Sequence, residues 1–167
     1  MITAHILIAS ALKKVPRKEV AISTKTYAKS GQEANESLKS SRKELETDYL
    51  GIYLLHFVKS DWVDDCHDVL KEMKNLKANG TVRAIGLSTH SVAVVRKAAQ
   101  FEELDVIMAI CCRTTQSIIR KFLEGIPIED GSMEEMFQAL KQAHNNGKGT
   151  IAMKVLGAQS PPLIKNY

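Results

Sequence analysis

Apolar positions along this chain alternate between two periods. Runs spaced at three and four residues are separated by short, nearly continuous apolar stretches. The first run spans Ile2–Lys14, with Ile2, Ile6, Ala9 and Leu12–Lys13 on successive helical turns and Pro16 as its stop. A short β-type run follows from Val20 to Lys25. Ser30 and Glu33 have the spacing of a capping box, and Ala34, Leu38, Ser41 and Leu45 then recur at helical intervals. Tyr49–His56 is almost wholly apolar, as expected of a strand covered on both faces.

The alternation continues. Asp61 or Asp64 is placed to start a helix whose Val69, Leu70, Met73 and Leu76 share one face, with Gly80 where a left-handed glycine ends a helix. Val82–Ser88 reads as a strand, and His90–Ser91 opens a helix reaching Gln100. Leu104–Cys112 reads as a further buried strand. Arg113–Asp130 is long and irregular, the mark of a functional loop or an insertion. Ser132 with Glu135 caps a helix carrying Met136, Phe137, Leu140 and Ala143, which Asn146–Gly147 ends before a last strand, Thr150–Val155.

Strands alternating with helices through short connections imply parallel pairing by right-handed crossovers. An open flavodoxin-like sheet and a (β/α)8 TIM barrel both satisfy that pattern. No G-x-G-x-x-G follows any strand, which counts against the dinucleotide-binding open sheet. About five strands are present where a barrel has eight in ~250 residues. The expectation is therefore an incomplete (β/α)8 barrel over residues 1–157, lacking N- and C-terminal units, followed by an irregular tail at 158–167.

Composition changes this picture little. The 167 residues are 44% hydrophobic and 25% charged, the balance of a folded chain. The net charge of +4 raises the question of nucleic acid, but basic and acidic residues interleave, as at Arg42, Lys43, Glu44 and Glu46, with no basic stripe studded with aromatics. Neither nucleic acid nor a membrane is expected as a partner, since Met1–Leu12 is too short to span a bilayer and lacks a basic leader. Three cysteines (Cys66, Cys111 and Cys112) make neither a disulfide framework nor a C-x-x-C pattern, so a reducing cytoplasm and no metal site are expected. Cys66–His67 reads as surface, and the adjacent Cys111 and Cys112, facing opposite ways in a strand, as packing.

Candidate chemistry lies where apolar strands end in polar residues, because parallel barrels place their sites at the C-terminal ends of strands. Lys25, His56 and Ser88-Thr89-His90 are such ends. If His56 faces inward, Ile52 and Leu54 do too and Tyr53 faces the helices, while Lys25 shares a face with Ser23 and Ala21. Taken singly, a lysine after a strand is an ordinary solvated residue, and a lone histidine an ordinary rim residue.

Three stretches sharpen this. Val20-Ala21-Ile22-Ser23-Thr24-Lys25, Thr47-Asp48-Tyr49-Leu50-Gly51-Ile52-Tyr53-Leu54-Leu55-His56 and Gly80-Thr81-Val82-Arg83-Ala84-Ile85-Gly86-Leu87-Ser88 resemble, in order and separation, the aldo-keto reductases. Gly147–Gly157, with its Met153-Lys154-Val155-Leu156-Gly157, is similar to the branch that includes iron–sulfur-bearing members, though no close cysteine run supports a cluster here. The resemblance implies an eight-stranded barrel that reduces aldehydes and ketones with NADPH, with NAD left open. It implies a tetrad of aspartate, tyrosine, lysine and histidine, of which Lys25 and His56 match the last two. Ser88 matches a serine that hydrogen-bonds the nicotinamide carboxamide. Thr89 stands where many members have asparagine, and Met153 where an aromatic often stacks on the ring.

The resemblance places the aspartate and tyrosine in a segment preceding this chain, so weak turnover is expected of the chain alone. Tyr27 and Tyr53 are poor replacements, being in a loop and outward-facing. The alternatives are a non-catalytic nucleotide-binding or regulatory protein, or a truncated gene product, on the same scaffold, or a barrel enzyme using Lys25 as a Schiff-base nucleophile. An unclosed barrel would also expose sheet edges and favour self-association.

Overall fold

The computed structural model describes residues 4–111 and 128–155. Five strands, β1 (Ser23–Thr26), β2 (Leu50–Leu55), β3 (Val82–Thr89), β4 (Val106–Ile110) and β5 (Gly149–Met153), form one sheet. They lie in the order β1-β2-β3-β4-β5, every neighbour parallel. Among the described residues five α-helices accompany them: α1 (Ala4–Leu12), α2 (Gly31–Leu45), α3 (His67–Ala78), α4 (Val92–Ala98) and α5 (Met133–Asn145). Sequential order, with the right-handed crossovers that parallel strands favour, puts successive helices on one face of the sheet. A doubly wound sheet reverses direction partway, and this one never does, so the sheet is an arc of a barrel wall.

The helix caps follow the sequence closely. Ser30 Oγ accepts from Glu33 N at 3.2 Å, but the Glu33 carboxylate takes the N–H of Lys29 rather than of Ser30, so the box is only half closed. Ser132 and Glu135 close theirs fully. Gly80 and Gly147 end α3 and α5 in the left-handed region, at φ 78° and 80°. Asp130, which the sequence left inside an undeciphered stretch, caps α4. Its carboxylate accepts from Val92 N at 2.5 Å and from the Ser91 hydroxyl at 2.8 Å. Residues 113–127 of that stretch, Cys112 and the tail at 158–167 lie outside the described residues.

Three expectations need correction. The helix expected to begin at Asp61 or Asp64 begins at His67, because residues 59–65 form tight turns, with Val63 N bonded to Lys59 O and Asp65 N to Trp62 O. Those turns carry Val63 and Cys66 onto the stripe continued by Val69, Leu70 and Met73, so Cys66 is a core residue rather than a surface one. Its Sγ donates to Val63 O at 3.1 Å, and burial pushes the thiol up to about 11, far from reactive thiolate chemistry. The third concerns α1, whose expected stripe is only half buried. Ala9 is covered and Leu12 packs on the core, but Ile6 and Leu7 remain 48% and 62% exposed. Apolar residues surround this helix, so spacing could not choose a face. His5 chose it, with Nδ1 2.8 Å from Glu44 Oε2 and Nε2 3.0 Å from Thr24 Oγ1.

The core lies between the sheet and the helices, built by Leu38, Leu45, Tyr53, Ile85, Leu87 and Met136 among others. Tyr53 faces the helices as expected. It is fully buried, and its hydroxyl donates to Ala34 O at 2.9 Å in α2. Tyr53→Phe removes that single bond from a fully covered site and is expected to lower stability by ~1 kcal/mol, read from urea unfolding midpoints at unchanged slope.

The opposite face is the concave one. The register pairs Ser23 with Ile52, Lys25 with Leu54, Leu54 with Gly86, Gly86 with Val106, Ser88 with Met108 and Ile110 with Met153, so these residues share it. Ile52, Met108, Ile151 and Met153 are only partly covered there. At β5 even the convex face is open, with Thr150 and Ala152 exposed.

Candidate active site

The C-terminal ends of β1, β2, β3 and β5 converge on one rim. Lys25 stands on β1 opposite Leu54, and His56 follows Leu54 by two residues, so both reach the concave face as the alternation required. The exit from β2 is sharply turned and stitched to β3. His56 N donates to Thr26 O at 2.7 Å, Phe57 takes φ 57°, and its N–H donates to Ser88 Oγ at 3.1 Å. Val58 N then bonds Ser88 O at 2.8 Å. The turn holds His56 against the Tyr27 ring, centroids 4.3 Å apart, and Phe57 edge-on to His90 at 4.9 Å. Beside it opens a cleft of about 440 Å³ lined by Tyr27, Lys29, His56, Phe57, Lys59, Asp61 and Trp62.

Ser88 shares the concave face, yet its side chain is sealed from solvent and already accepts the Phe57 N–H. Thr89 turns the other way. Its hydroxyl donates to Val58 O at 2.7 Å and accepts from Ser91 N at 3.0 Å, which fixes the ledge below the rim. Met153, half-buried opposite Ile110, offers an apolar surface to the concave side. The structure thus brings Lys25, His56, Ser88 and Met153 to one face, and Thr89 to the other.

Sequence reasoning overlooked Lys154, and it read His90 as either a cap neighbour or a substrate contact. Period-two alternation would send Lys154 outward after Met153, but its φ of 60° breaks the strand and swings the side chain back, placing Nζ 3.0 Å from His90 Nε2. The rule applied to β1, β2 and β3, that a polar residue ending an apolar strand belongs to the site, finds it at once when applied to β5.

The rim is electropositive. Burial holds the Lys25 ammonium below the usual lysine range. Burial, then Lys25 and Lys154, hold His56 below its ordinary value. Burial, with Lys154, Lys25 and His56 adding repulsion, brings His90 down to about 4. Lys154 is lowered by burial and then by Lys25. Both imidazoles are therefore neutral at pH 7, able to donate to or accept from a polar ligand. Among the described residues, neither Lys25 nor Lys154 pairs with a carboxylate, and no group of three or more metal-type side chains gathers.

Comparison with known proteins agrees with this geometry. The family model described as "Aldo/keto reductase family" matches residues 2–161. The NADH-specific methylglyoxal reductase of Escherichia coli (strain K12) is 24% identical over 164 residues, covering 83% of this chain. The chain spans about half of that relative's length, 49%. The holo form of an aldo-keto reductase from Bacillus halodurans superposes with a TM-score of 0.66 at 22% identity, over 89% of this chain and 47% of its own. A Bombyx mori aldo-keto reductase in complex with NADP gives 0.59 at 18%, over 87% and 45%. The five-stranded arc is accordingly part of a TIM barrel.

Proposed function

We propose a function that starts from kinship: the chain belongs to the aldo/keto reductase family. It carries the lysine–histidine half of a site that reduces small aldehydes or ketones to alcohols with NADPH or NADH. The observation behind this reading is that Lys25 and His56 stand on adjacent parallel strands, on one face, at the catalytic end of the wall.

The donor set fits the nicotinamide end of such a cofactor. Met153 and Ile151 provide a half-open apolar surface for a flat ring, and the Ser88 hydroxyl, accepting from Phe57, keeps its own hydrogen to donate once uncovered. Thr89 would serve by anchoring Val58 beneath it. When bound, the dinucleotide supplies the hydride. His56, neutral at pH 7, donates a hydrogen bond to the carbonyl oxygen and orients it. Lys25 sets a positive charge where the oxygen gains negative charge, a stabilisation strengthened by partial burial. The aspartate and tyrosine that the family resemblance implies are not matched in this sequence, so the proton donor is expected from elsewhere.

The cleft beside His56 suits a small polar carbonyl, and the named activity of the Escherichia coli relative makes methylglyoxal the first substrate to try. NADPH and NADH are titrated separately by the quenching of Trp62 fluorescence, then mixed with methylglyoxal and followed through loss of reduced-nicotinamide absorbance. Binding of at least one cofactor, with turnover near background, is the expected result. Robust turnover would overturn the claim that a donor is needed, and no binding of either cofactor would overturn the reading itself.

A non-catalytic nucleotide-binding role is the second reading, favoured by Lys25 lacking a carboxylate partner among the described residues. It is distinguished by turnover remaining at background when a carbonyl and a proton-donating phenol are both in excess. We also place the chain in the cytoplasm, consistent with buried free thiols at Cys66 and Cys111. Among the described residues, no helix is long and apolar enough to cross a membrane. Self-association is expected through the sides of β1 and β5 that pair with no strand among the described residues, visible as a sedimentation coefficient that rises with concentration. A concentration-independent monomer would refute it.

A further inference from the structure

α1 carries an apolar surface that the fold does not use. The helix holds no charged residue, and Ile6, Leu7 and Ile8 remain 48%, 62% and 38% exposed, followed by Val15 at 44%. Nowhere else among the described residues are three large apolar side chains exposed in succession. The protein body takes the other side of the helix, where Ala9 is covered, Leu12 packs on the core and His5 is tied to Glu44 and Thr24. Basic residues gather where the helix ends. Lys13, Lys14 and Lys18 are exposed, as is Lys43 on the adjoining end of α2. Lys13 pairs with Glu46 at 3.1 Å, which sets the two helix ends side by side. Lys14, Lys18 and Lys43 pair with no carboxylate among the described residues. Arg17 is bound inward to Thr47, Val20 and Tyr49, while Glu19 and Asp48 are the carboxylates of this region without a basic partner. Lysines at a helix C-terminus complement its dipole, which accounts for Lys13, Lys14 or Lys43 singly. It does not account for an uncharged, exposed apolar face beside them.

We infer that α1 and the lysines at its end form a docking surface for an anionic lipid bilayer, with the helix lying flat in the headgroup layer. Nine residues span only ~14 Å, far short of the ~30 Å of a hydrocarbon core. The expectation of no membrane partner rested on that shortness, which bars a span and not a helix lying on the surface. Apolar insertion or charge alone attaches a protein weakly, and the two together hold it. Charge also decides between occupants. A second copy docked through the same face would bring its own lysines against these, whereas anionic headgroups neutralise them. Glu46 lies just before β2, so the basic cluster is at the end of the wall remote from Lys25 and His56, and the rim stays open on a docked chain. The inference does not depend on the reductase reading.

Flotation of the full chain with vesicles is the test, comparing phosphatidylcholine alone with phosphatidylcholine containing one third phosphatidylserine. The expected result is saturable partition into the anionic vesicles, about tenfold or more above the neutral ones and largely reversed by molar salt. Lys14→Gln and Lys18→Gln together should weaken it about thirtyfold, the size expected when two lysines leave an anionic surface. Leu7→Gln keeps the charge and should weaken it about tenfold by removing an inserted apolar side chain. All three positions are exposed, and an unchanged circular dichroism spectrum shows that each variant folds. Equal partition into both vesicle types, none into the anionic ones, or full partition of Leu7→Gln overturns the inference. If the chain does not float and Leu7→Gln instead abolishes its concentration-dependent sedimentation, the face joins copies of the chain and the lipid assignment fails. Cofactor binding, read by Trp62 quenching, should be equal in all variants, so failure of the reductase reading leaves this result standing.

Discussion

Gly86→Ala is expected to destabilise the chain by ~3 kcal/mol or more, the upper end of what overpacking costs. Gly86 pairs with Leu54 on one side and Val106 on the other, at the centre of the concave face. A β-carbon there would overlap the Val106 carbonyl oxygen outright, sit 2.8 Å from its carbon, and press on Leu54 Cδ2 at 2.9 Å. The Leu54 side chain can move. The Val106 carbonyl cannot, because β4 is clamped to β3 by the adjacent Asp105, whose N–H donates to Ile85 O at 2.9 Å. The Asp105 carboxylate accepts from Ile85 N at 2.9 Å and from Lys77 Nζ at 2.6 Å. Relief must come from splaying β3 from β4, which also displaces Ser88 and His90 from the rim. Urea unfolding provides the measurement, with Gly80→Ala as the comparison. Gly80 has φ 78° but nothing within 4 Å, so that change costs only the backbone preference, ~1 kcal/mol. Equal midpoints for the two variants would show that the close approach of β3 and β4 carries no weight.

Acid should destabilise the fold through His90. Its pKa falls from the ordinary 6.5 to about 4 on folding, chiefly by burial, with Lys154, Lys25 and His56 repelling the added proton. Below pH 6.5 the unfolded chain takes up this proton and the folded chain refuses it until about pH 4. Stability from this group is therefore complete above 6.5 and is lost progressively as pH falls towards 4, by on the order of 2 kcal/mol after allowing for solvent screening. His56 contributes with the same sign. His90→Gln keeps an acceptor for Lys154 while removing the titration, so the difference in unfolding free energy between the two chains should slope across that window and be flat above it. A difference that stays constant from pH 7 to pH 4 would refute the assignment.

The legible part of this molecule was that governed by a clear period. In α2 only one face of Ala34, Leu38, Ser41 and Leu45 is apolar, so the stripe and its burial coincide. Strand alternation likewise gave Tyr53 to the helices and His56 to the rim. Where the period is ambiguous or broken, other forces decided. In α1 every face is apolar and two hydrogen bonds from His5 settled which one packs. At Cys66, turns extended the helical stripe upstream of the helix itself. In α5 the buried face runs through Met136, Ala139, Leu140 and Ala143, leaving Phe137 at the surface. At Lys154 one left-handed residue reversed the direction that counting by twos assigns, so half of the rim's charge lay hidden behind a methionine.

Most of the hydrophobic cluster lies on the helix side of the sheet, while the rim residues sit on the concave side at strand ends. A mutation at Lys25 or Lys154, neither of which belongs to that cluster, thus leaves most of the packing that folds the chain untouched. Evolution can rewrite the chemistry of such a wall one rim residue at a time, and each experiment begins from a protein that still folds.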